Sequence, residues 1–514
     1  MSGFIRKMFQ SYKNLNIAIK ASMWFAVSSI VQKGIAVISM PIFTRLMSIE
    51  QYGEYNIFLT WYNLLMIIVT LNLQGEAFNK GLIEHDTEKD VFTSNQAGLL
   101  ILLAVGILII YLPLQSIFNK FLGLSTWLVV LMILEILANA LIGIWAARKR
   151  FDYEYIKIVL LLLGMSVLNP VIGVFAVMYA PQKAEARIIS NAIVPIAIAI
   201  VLLIFFAKKG KLFGNAKWWK NTLKLCLPLL PHYLSLVVLN QSDKLMIDYF
   251  IGPAEVAIYS VAHSAGLLMT IINSSINNSF VPWLYRKIKG EDEKDARGVT
   301  NVLFLLIAVV NLCVVWMAPE VVAIVSTSEY STAVWCLVPI SISVFFFFVY
   351  TLFVDVEIYY GAKWLITVAS LCAMVLNLVL NYIFIPIYGF LAAGYTTLIS
   401  YIFTMLMHYI FMRILLKKNN VKVQLFDMRI VFLISITIIG LSIAAMCLYN
   451  YIWVRIGVML LVALLLIVFR KKIVSIFKSL KAEKTVLKNT RDSIACESEV
   501  EGNEILEGKD VTNQ

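Results

Sequence analysis

Charged side chains set inside long apolar runs are the residues of this chain best placed to do chemistry. Lys33 lies midway along one run, beside Gln32, and Arg45 closes the same run; Asp243, Lys244 and Asp248 share another; Glu135 is the lone acid of a third, with Asn139 one turn on. An ionisable group near a bilayer centre costs ~2.5–3.5 kcal/mol to insert, so each is a functional candidate by default. The three cations suit an anionic ligand, and the planar fork of Arg45 can meet two anionic oxygens at once. Structural roles stand beside these readings: Lys33 paired with Glu135, Lys244 bridged to Asp248 at i+4, Arg45 as an interface anchor. Glu135, Asp243 and Asp248 are accordingly either ion-pair partners or groups that couple a proton or sodium ion to movement. Ser260, His263, Thr270, Ser274 and Asn277 recur at three-, four- and seven-residue spacing, which puts them on one helical face. That face either hydrogen-bonds neighbouring helices or meets a hydroxyl-bearing ligand. No second His, Cys or carboxylate cluster adjoins His263, so no metal site is expected. Glu76 and Lys80, ordered at i and i+4 at the inner end of the second apolar run, read as a stabilising pair.

The elements that hold these residues are membrane-spanning helices. Fourteen apolar segments reach the ~20 residues that a bilayer core requires: 17–42, 54–77, 93–116, 121–146, 153–178, 185–207, 223–250, 254–280, 299–325, 331–354, 363–385, 390–414, 429–448 and 450–470. Loops after even-numbered segments are basic, with Arg148-Lys149-Arg150, Lys208-Lys209-Gly210-Lys211, Arg286-Lys287-Ile288-Lys289 and Lys417-Lys418, whereas 252–255, 319–329 and 386–390 hold no Lys or Arg. This asymmetry assigns the basic loops and both termini to the cytoplasm. The first apolar stretch is too long for a signal-peptide core and is expected to remain as a helix, despite the basic start at Arg6, Lys7 and Lys13.

A chain that is 61% hydrophobic and 14% charged lies outside the soluble globular range. Its net charge of +12 sits in loops and the first part of the tail, where it signals topology and attracts anionic lipid rather than nucleic acid. Five cysteines, Cys226, Cys313, Cys336, Cys372 and Cys447, fall in expected spans and Cys496 in the tail, with no metal or redox spacing. The tail divides into a basic stretch, Lys471 to Lys488, and an acidic one, Arg491 to Gln514, of disorder-prone composition. Glu291, Asp292, Glu293 and Asp295 partly neutralise the basic loop before them.

A weak internal repeat organises the spans. Leu46-Met47-Ser48-Ile49-Glu50-Gln51-Tyr52-Gly53-Glu54-Tyr55 is echoed by Phe250-Ile251-Gly252-Pro253-Ala254-Glu255-Val256-Ala257-Ile258-Tyr259 at an offset of 204 residues, and Val167-Leu168-Asn169-Pro170-Val171 by Val375-Leu376-Asn377-Leu378-Val379 at 208. Six spans separate the copies, so the halves run parallel, with a binding site expected between them. The expected architecture is an all-α integral membrane protein of about 14 transmembrane helices. Residues 1–207 and 208–414 form two pseudo-symmetric six-helix lobes, 415–470 an added helix pair, and 471–514 a cytoplasmic tail.

Pro41-Ile42-Phe43-Thr44-Arg45-Leu46-Met47, followed by Gln51-Tyr52-Gly53-Glu54-Tyr55, resembles the first-loop signature of the polysaccharide-export branch of the multidrug/oligosaccharidyl-lipid/polysaccharide (MOP) superfamily. Leu227-Pro228-Leu229-Leu230-Pro231, Ser242-Asp243-Lys244-Leu245-Met246-Ile247, Gly252 and Ile258-Tyr259-Ser260-Val261-Ala262 resemble its seventh- and eighth-span pattern, and the likeness covers about 17–414. Ala257 stands where the first copy has Gly53.

The resemblance implies a flippase in the bacterial cytoplasmic membrane. Its cargo would be an undecaprenyl-diphosphate-linked oligosaccharide for O-antigen, capsule or exopolysaccharide, moved by alternating access without a cofactor. Implied partners are that lipid-linked sugar, membrane lipids and other polysaccharide assembly proteins, with no nucleic acid. Lys33, Arg45, Lys244, His263 and Asn277 are then the substrate-binding candidates. A peptidoglycan-precursor flippase would handle the same diphosphate, and a cation-coupled drug exporter of the superfamily would want acids in its groove. A membrane glycosyltransferase or polymerase needs acids or nucleophiles on a sizeable loop; the outward loops here are about a dozen residues at most, so a non-enzyme is expected.

Overall fold

The computed structural model describes residues 16–211, 213–289, 296–421, 423–464, 467–468 and 470. The N-terminal cations Arg6, Lys7 and Lys13, the acids Glu291 to Asp295, the tail 471–514 and Cys496 lie outside the described residues. Every regular element among those described is helical. In chain order they are α1 (Ile17–Leu46), α2 (Ile49–Thr70), α3 (Glu76–Glu84), α4 (Lys89–Tyr111), α5 (Gln115–Leu122), α6 (Thr126–Phe151), α7 (Tyr155–Tyr179), α8 (Lys183–Lys209), α9 (Ala216–Cys226), α10 (Leu230–Phe250), α11 (Pro253–Leu267), α12 (Met269–Lys289), α13 (Arg297–Trp316), α14 (Ala318–Val325), α15 (Ala333–Tyr359), α16 (Lys363–Tyr388), α17 (Leu391–Lys418) and α18 (Met428–Cys447).

Twelve helical stretches among the described residues are long and apolar enough to cross a membrane, so this is a multi-pass membrane protein with all-α architecture. Two of the fourteen expected segments fall outside that set. The one read as 54–77 is α2, a helix of 22 residues whose first turns carry Glu50, Gln51, Glu54 and Asn56. The one read as 450–470 is apolar helix over Ile452–Leu464, short of a full crossing. Helices dominate because a backbone in hydrocarbon must satisfy its own N–H and C=O groups.

Local chemistry sets the breaks. Ser48 caps α2 through a reciprocal box with Gln51, its hydroxyl accepting from the Gln51 amide. Pro228 separates the amphipathic α9 from α10. The seventh-to-eighth turn is made by Gly252, whose φ of 143° lies where side-chain-bearing residues are rarely found.

The chain forms two compact units. The first comprises Met1–Ala265, Pro319–Leu337 and Thr367–Ser400; the second comprises Gly266–Ala318, Val338–Ile366 and Tyr401–Gln514. In the first, α6 packs on α4 and α8, α7 on α1 and α8, and α10 on α2. Its interior includes Phe78, Phe92, Leu141, Ile144 and Phe206. In the second, α13 packs on α18.

Candidate functional site

Within the first unit, α10, α11, α16 and α17 enclose one carboxylate in neutral donors. Asp243, 2% exposed, accepts from the Tyr259 hydroxyl at 2.5 Å, Asn381 Nδ2 at 2.6 Å and the Thr397 hydroxyl at 2.6 Å. Asn381 also donates to Asn377 Oδ1, which accepts from Ser242 as well. A buried carboxylate needs such donors, and here they come from the i, i+4 pair Asn377/Asn381 on α16 and from the start of α17. Among the described residues no cation is hydrogen-bonded to Asp243.

Lys244 is buried next to it, 8% exposed. The expected Lys244–Asp248 bridge is not formed: Lys244 has no ion pair among the described residues, and the charges around it are Asp243 and His263. Asp248 is half-buried instead near Glu54 of α2, because α10 turns that face toward α2. His263 stacks on Tyr259 with ring centroids 5.9 Å apart.

A second polar nest lies among α6, α7 and α8. Glu135 is buried and accepts from Asn191 Nδ2 at 2.7 Å, with its second oxygen unmatched. Arg187 is buried nearby, its guanidinium over Phe43 at 4.1 Å and Tyr55 at 5.2 Å. The expected Lys33–Glu135 pair is therefore not present; Asn191 occupies the place given to Lys33. Arg187 was hidden in the sequence because it stands at the margin of its span, where a cation reads as an anchor. Its distinguishing signal was its place in the cation-poor half of the loops.

Lys33 is exposed, as are Ser29, Ile30 and Ala36 within one turn of it on α1. Thr44, three turns further along α1, is buried, and its hydroxyl donates to Val325 O at 3.1 Å.

The meeting of α1 with the α14 end is a tight seam. Arg45 donates to Pro41 O at 2.8 Å and, at 3.4 Å, to Ile324 O and Ser326 O at the carbonyl end of α14, where a cation is favoured. Tyr52 meets buried Tyr330 edge to face at 6.2 Å. A Cβ on Gly53 would lie 1.8 Å from Pro253 O, so glycine is required for this approach of α2 to α11. In this arrangement Arg45 is engaged by backbone carbonyls.

Span 8 does not carry one continuous stripe. A break at Leu268 leaves Ser260 and His263 on α11 and Thr270, Ser274 and Asn277 on α12. In the second unit Asn277 lies close to Asp355, and Glu357, fully buried, meets His408 Nδ1 at 3.0 Å. These acids escaped the sequence reading because span 10 was closed at 354, whereas α15 continues to Tyr359. Lys80 pairs with Glu84 at 3.6 Å rather than with Glu76. Among the described residues no three His, Cys, Asp or Glu gather as a metal-holding group.

Comparison with known proteins fits this frame. A family model described as polysaccharide biosynthesis protein matches residues 18–288. A Haemophilus influenzae protein of the Lsg locus is 21% identical over 381 residues, covering 70% of this chain and 88% of its own. Among solved structures, the inward closed conformation of the lipid II flippase MurJ superposes with a TM-score of 0.60 at 14% identity, covering 88% of this chain and 100% of that one. An inward-facing multidrug resistance MATE transporter of the MOP superfamily gives 0.53 at 12% identity, covering 78% and 99%. At such identities the structural likeness establishes the fold.

Proposed function

Since the chain belongs to the polysaccharide biosynthesis protein family, we propose that it flips a polyprenyl-diphosphate-linked oligosaccharide across the bacterial cytoplasmic membrane for surface polysaccharide synthesis. The observation that carries this reading is a pair of cations within spans, Lys33 and Lys244, that form no ion pair among the described residues, the carboxylate nearest Lys244, Asp243, being held by three neutral donors. A cation without an ion pair inside a span is expensive unless an anion visits it, and a diphosphate is such an anion. Its isoprenoid tail can stay in lipid while the headgroup crosses.

The lobes 1–207 and 208–414 rock about this headgroup. Lys33 and Lys244 hold the diphosphate, and His263, near Lys244, offers a hydrogen bond to a sugar hydroxyl. Asp243 is the coupling group: ringed by neutral donors, it can take up and release a proton or sodium ion while Lys244 beside it takes and yields the substrate. Glu135 is a second such carboxylate. Arg45 latches the far end between passages and exchanges its carbonyl partners for diphosphate oxygens when the seam opens. Both termini face the cytoplasm on this reading.

Deleting the gene and analysing polyprenyl-diphosphate sugars by mass spectrometry tests the proposal. Accumulation of one lipid-linked oligosaccharide, restored to its normal level by wild type and not by Lys33→Ala, is expected. No accumulated lipid-linked sugar, or normal surface polysaccharide with Lys33→Ala, contradicts it. Accumulation of the peptidoglycan precursor in its place transfers the cargo to that lipid.

A further inference from the structure

In the second unit a cavity of about 1030 Å³ opens at the ends of α17 and α18. Among the described residues its wall carries Arg297, Arg413, Lys417 and Arg429 with one acid, Asp427. That acid is already engaged, its carboxylate accepting from the Arg429 amide at 3.0 Å as the cap of α18. Arg413 lies over the Tyr409 ring at 6.0 Å, which holds its guanidinium at the wall. Arg413, Lys417 and Arg429 are exposed. Arg413, Lys417 and Arg429 therefore set three exposed cations around the cavity.

The surface beneath it identifies the kind of anion. On α17, Leu406, Ile410 and Ile414 are exposed at four-residue steps leading to Lys417; on α18, Phe432, Leu433 and Ile436 are exposed below Arg429. Ile414 is 55% and Phe432 68% exposed. Each helix thus presents an apolar strip headed by a cation. A free phosphate has no use for those strips, whereas an amphiphile with a phosphate head and acyl chains matches both features. Basic pockets at the ends of membrane helices bind anionic lipid headgroups in this way.

We propose that the cavity holds the phosphate headgroup of an anionic phospholipid of the surrounding bilayer, with Arg413, Lys417 and Arg429 as its ligands and the strips on α17 and α18 as its acyl-chain bed. This site stands apart from the transport residues, so it survives or fails independently of the cargo.

The test is thermal unfolding of the purified full chain in detergent with phosphatidylglycerol, with phosphatidylcholine of the same acyl chains, or with inorganic diphosphate. Phosphatidylglycerol is expected to raise the unfolding temperature of wild type more than phosphatidylcholine does. The combined variant Arg413→Gln, Lys417→Gln, Arg429→Gln should bind it at least tenfold more weakly, while Arg413→Lys with Arg429→Lys keeps most of the effect. Equal shifts from the two lipids, an unchanged response in the glutamine variant, or an equal shift from inorganic diphosphate alone overturns the assignment. Native mass spectrometry of wild type needs no variant: tenfold preferential retention of phosphatidylglycerol is expected, and equal retention of both lipids contradicts the site.

Discussion

At the residue scale, the proposed chemistry rests on which charges are matched and which are not. Asp243 is surrounded by hydroxyls and amides, so Asp243→Asn keeps the size and most contacts while removing the charge. Transport is expected to fall at least tenfold with insertion unchanged, read from polyprenyl-diphosphate sugar per molecule of folded protein; normal turnover would remove Asp243 from the coupling role. The loop acid Glu154 tests a charge outside the spans. Hydrogen bonds from Lys149 and Lys157 hold its carboxyl at about 2, below its ordinary 4.5. Its folded value is lowered, so its stabilisation is present above pH 4.5 and fades as pH falls toward 2. The stability gap between wild type and Glu154→Gln should therefore narrow across that window; a gap independent of pH contradicts the ion pairs. The sequence singled out Lys33, Asp243, Lys244 and Glu135 by their place within apolar runs, and the two pairings it offered, Lys33–Glu135 and Lys244–Asp248, are not formed. An i, i+4 separation makes a Lys244–Asp248 contact possible without deciding which helix each side chain faces, and α10 turns Asp248 toward α2.

At the element scale, two helix contacts are open to measurement. Gly53 lets α2 lie directly on the Pro253 carbonyl, and Gly53→Val forces that seam apart. With a cysteine placed at Thr44, buried at the same seam, thiol labelling in an otherwise cysteine-free chain is expected to speed up at least tenfold in the valine variant. An unchanged rate would mean that the seam does not depend on the glycine. The buried Glu357–His408 pair joins α15 to α17. Removing one partner with Glu357→Ala should destabilise the folded protein by about 3–5 kcal/mol, read as a lowered unfolding midpoint; a change within measurement error would show that the pair holds nothing. Helix identity was legible from apolar length alone, and helix ends were not. Closing span 10 at 354 hid Asp355 and Glu357, because a polar residue in the last turn of a helix looks like the start of a loop. The break at Leu268 was equally invisible, for the flanking residues keep an unbroken helical pattern.

At the scale of the whole molecule, apolar segment length and alternating basic loops pointed to a multi-pass helical membrane protein, and the first-loop and seventh- and eighth-span motifs resembled a polysaccharide family; the family match bears out that family and the structural likeness the fold. Composition carries this much because bilayer thickness and backbone hydrogen bonding leave few architectures. It says little about cargo, since a diphosphate asks the same of a lysine whatever sugar follows it. The most direct measurement of the central claim is leaflet exchange in vesicles. Purified protein is reconstituted with a polyprenyl-diphosphate oligosaccharide, and an impermeant reagent reports how fast the inner-leaflet sugar becomes accessible. Wild type is expected to accelerate exchange at least tenfold over protein-free vesicles, and Lys33→Ala and Asp243→Asn to bring it back near the protein-free rate. Exchange at the protein-free rate with folded wild type, or full exchange in both variants, would contradict the account.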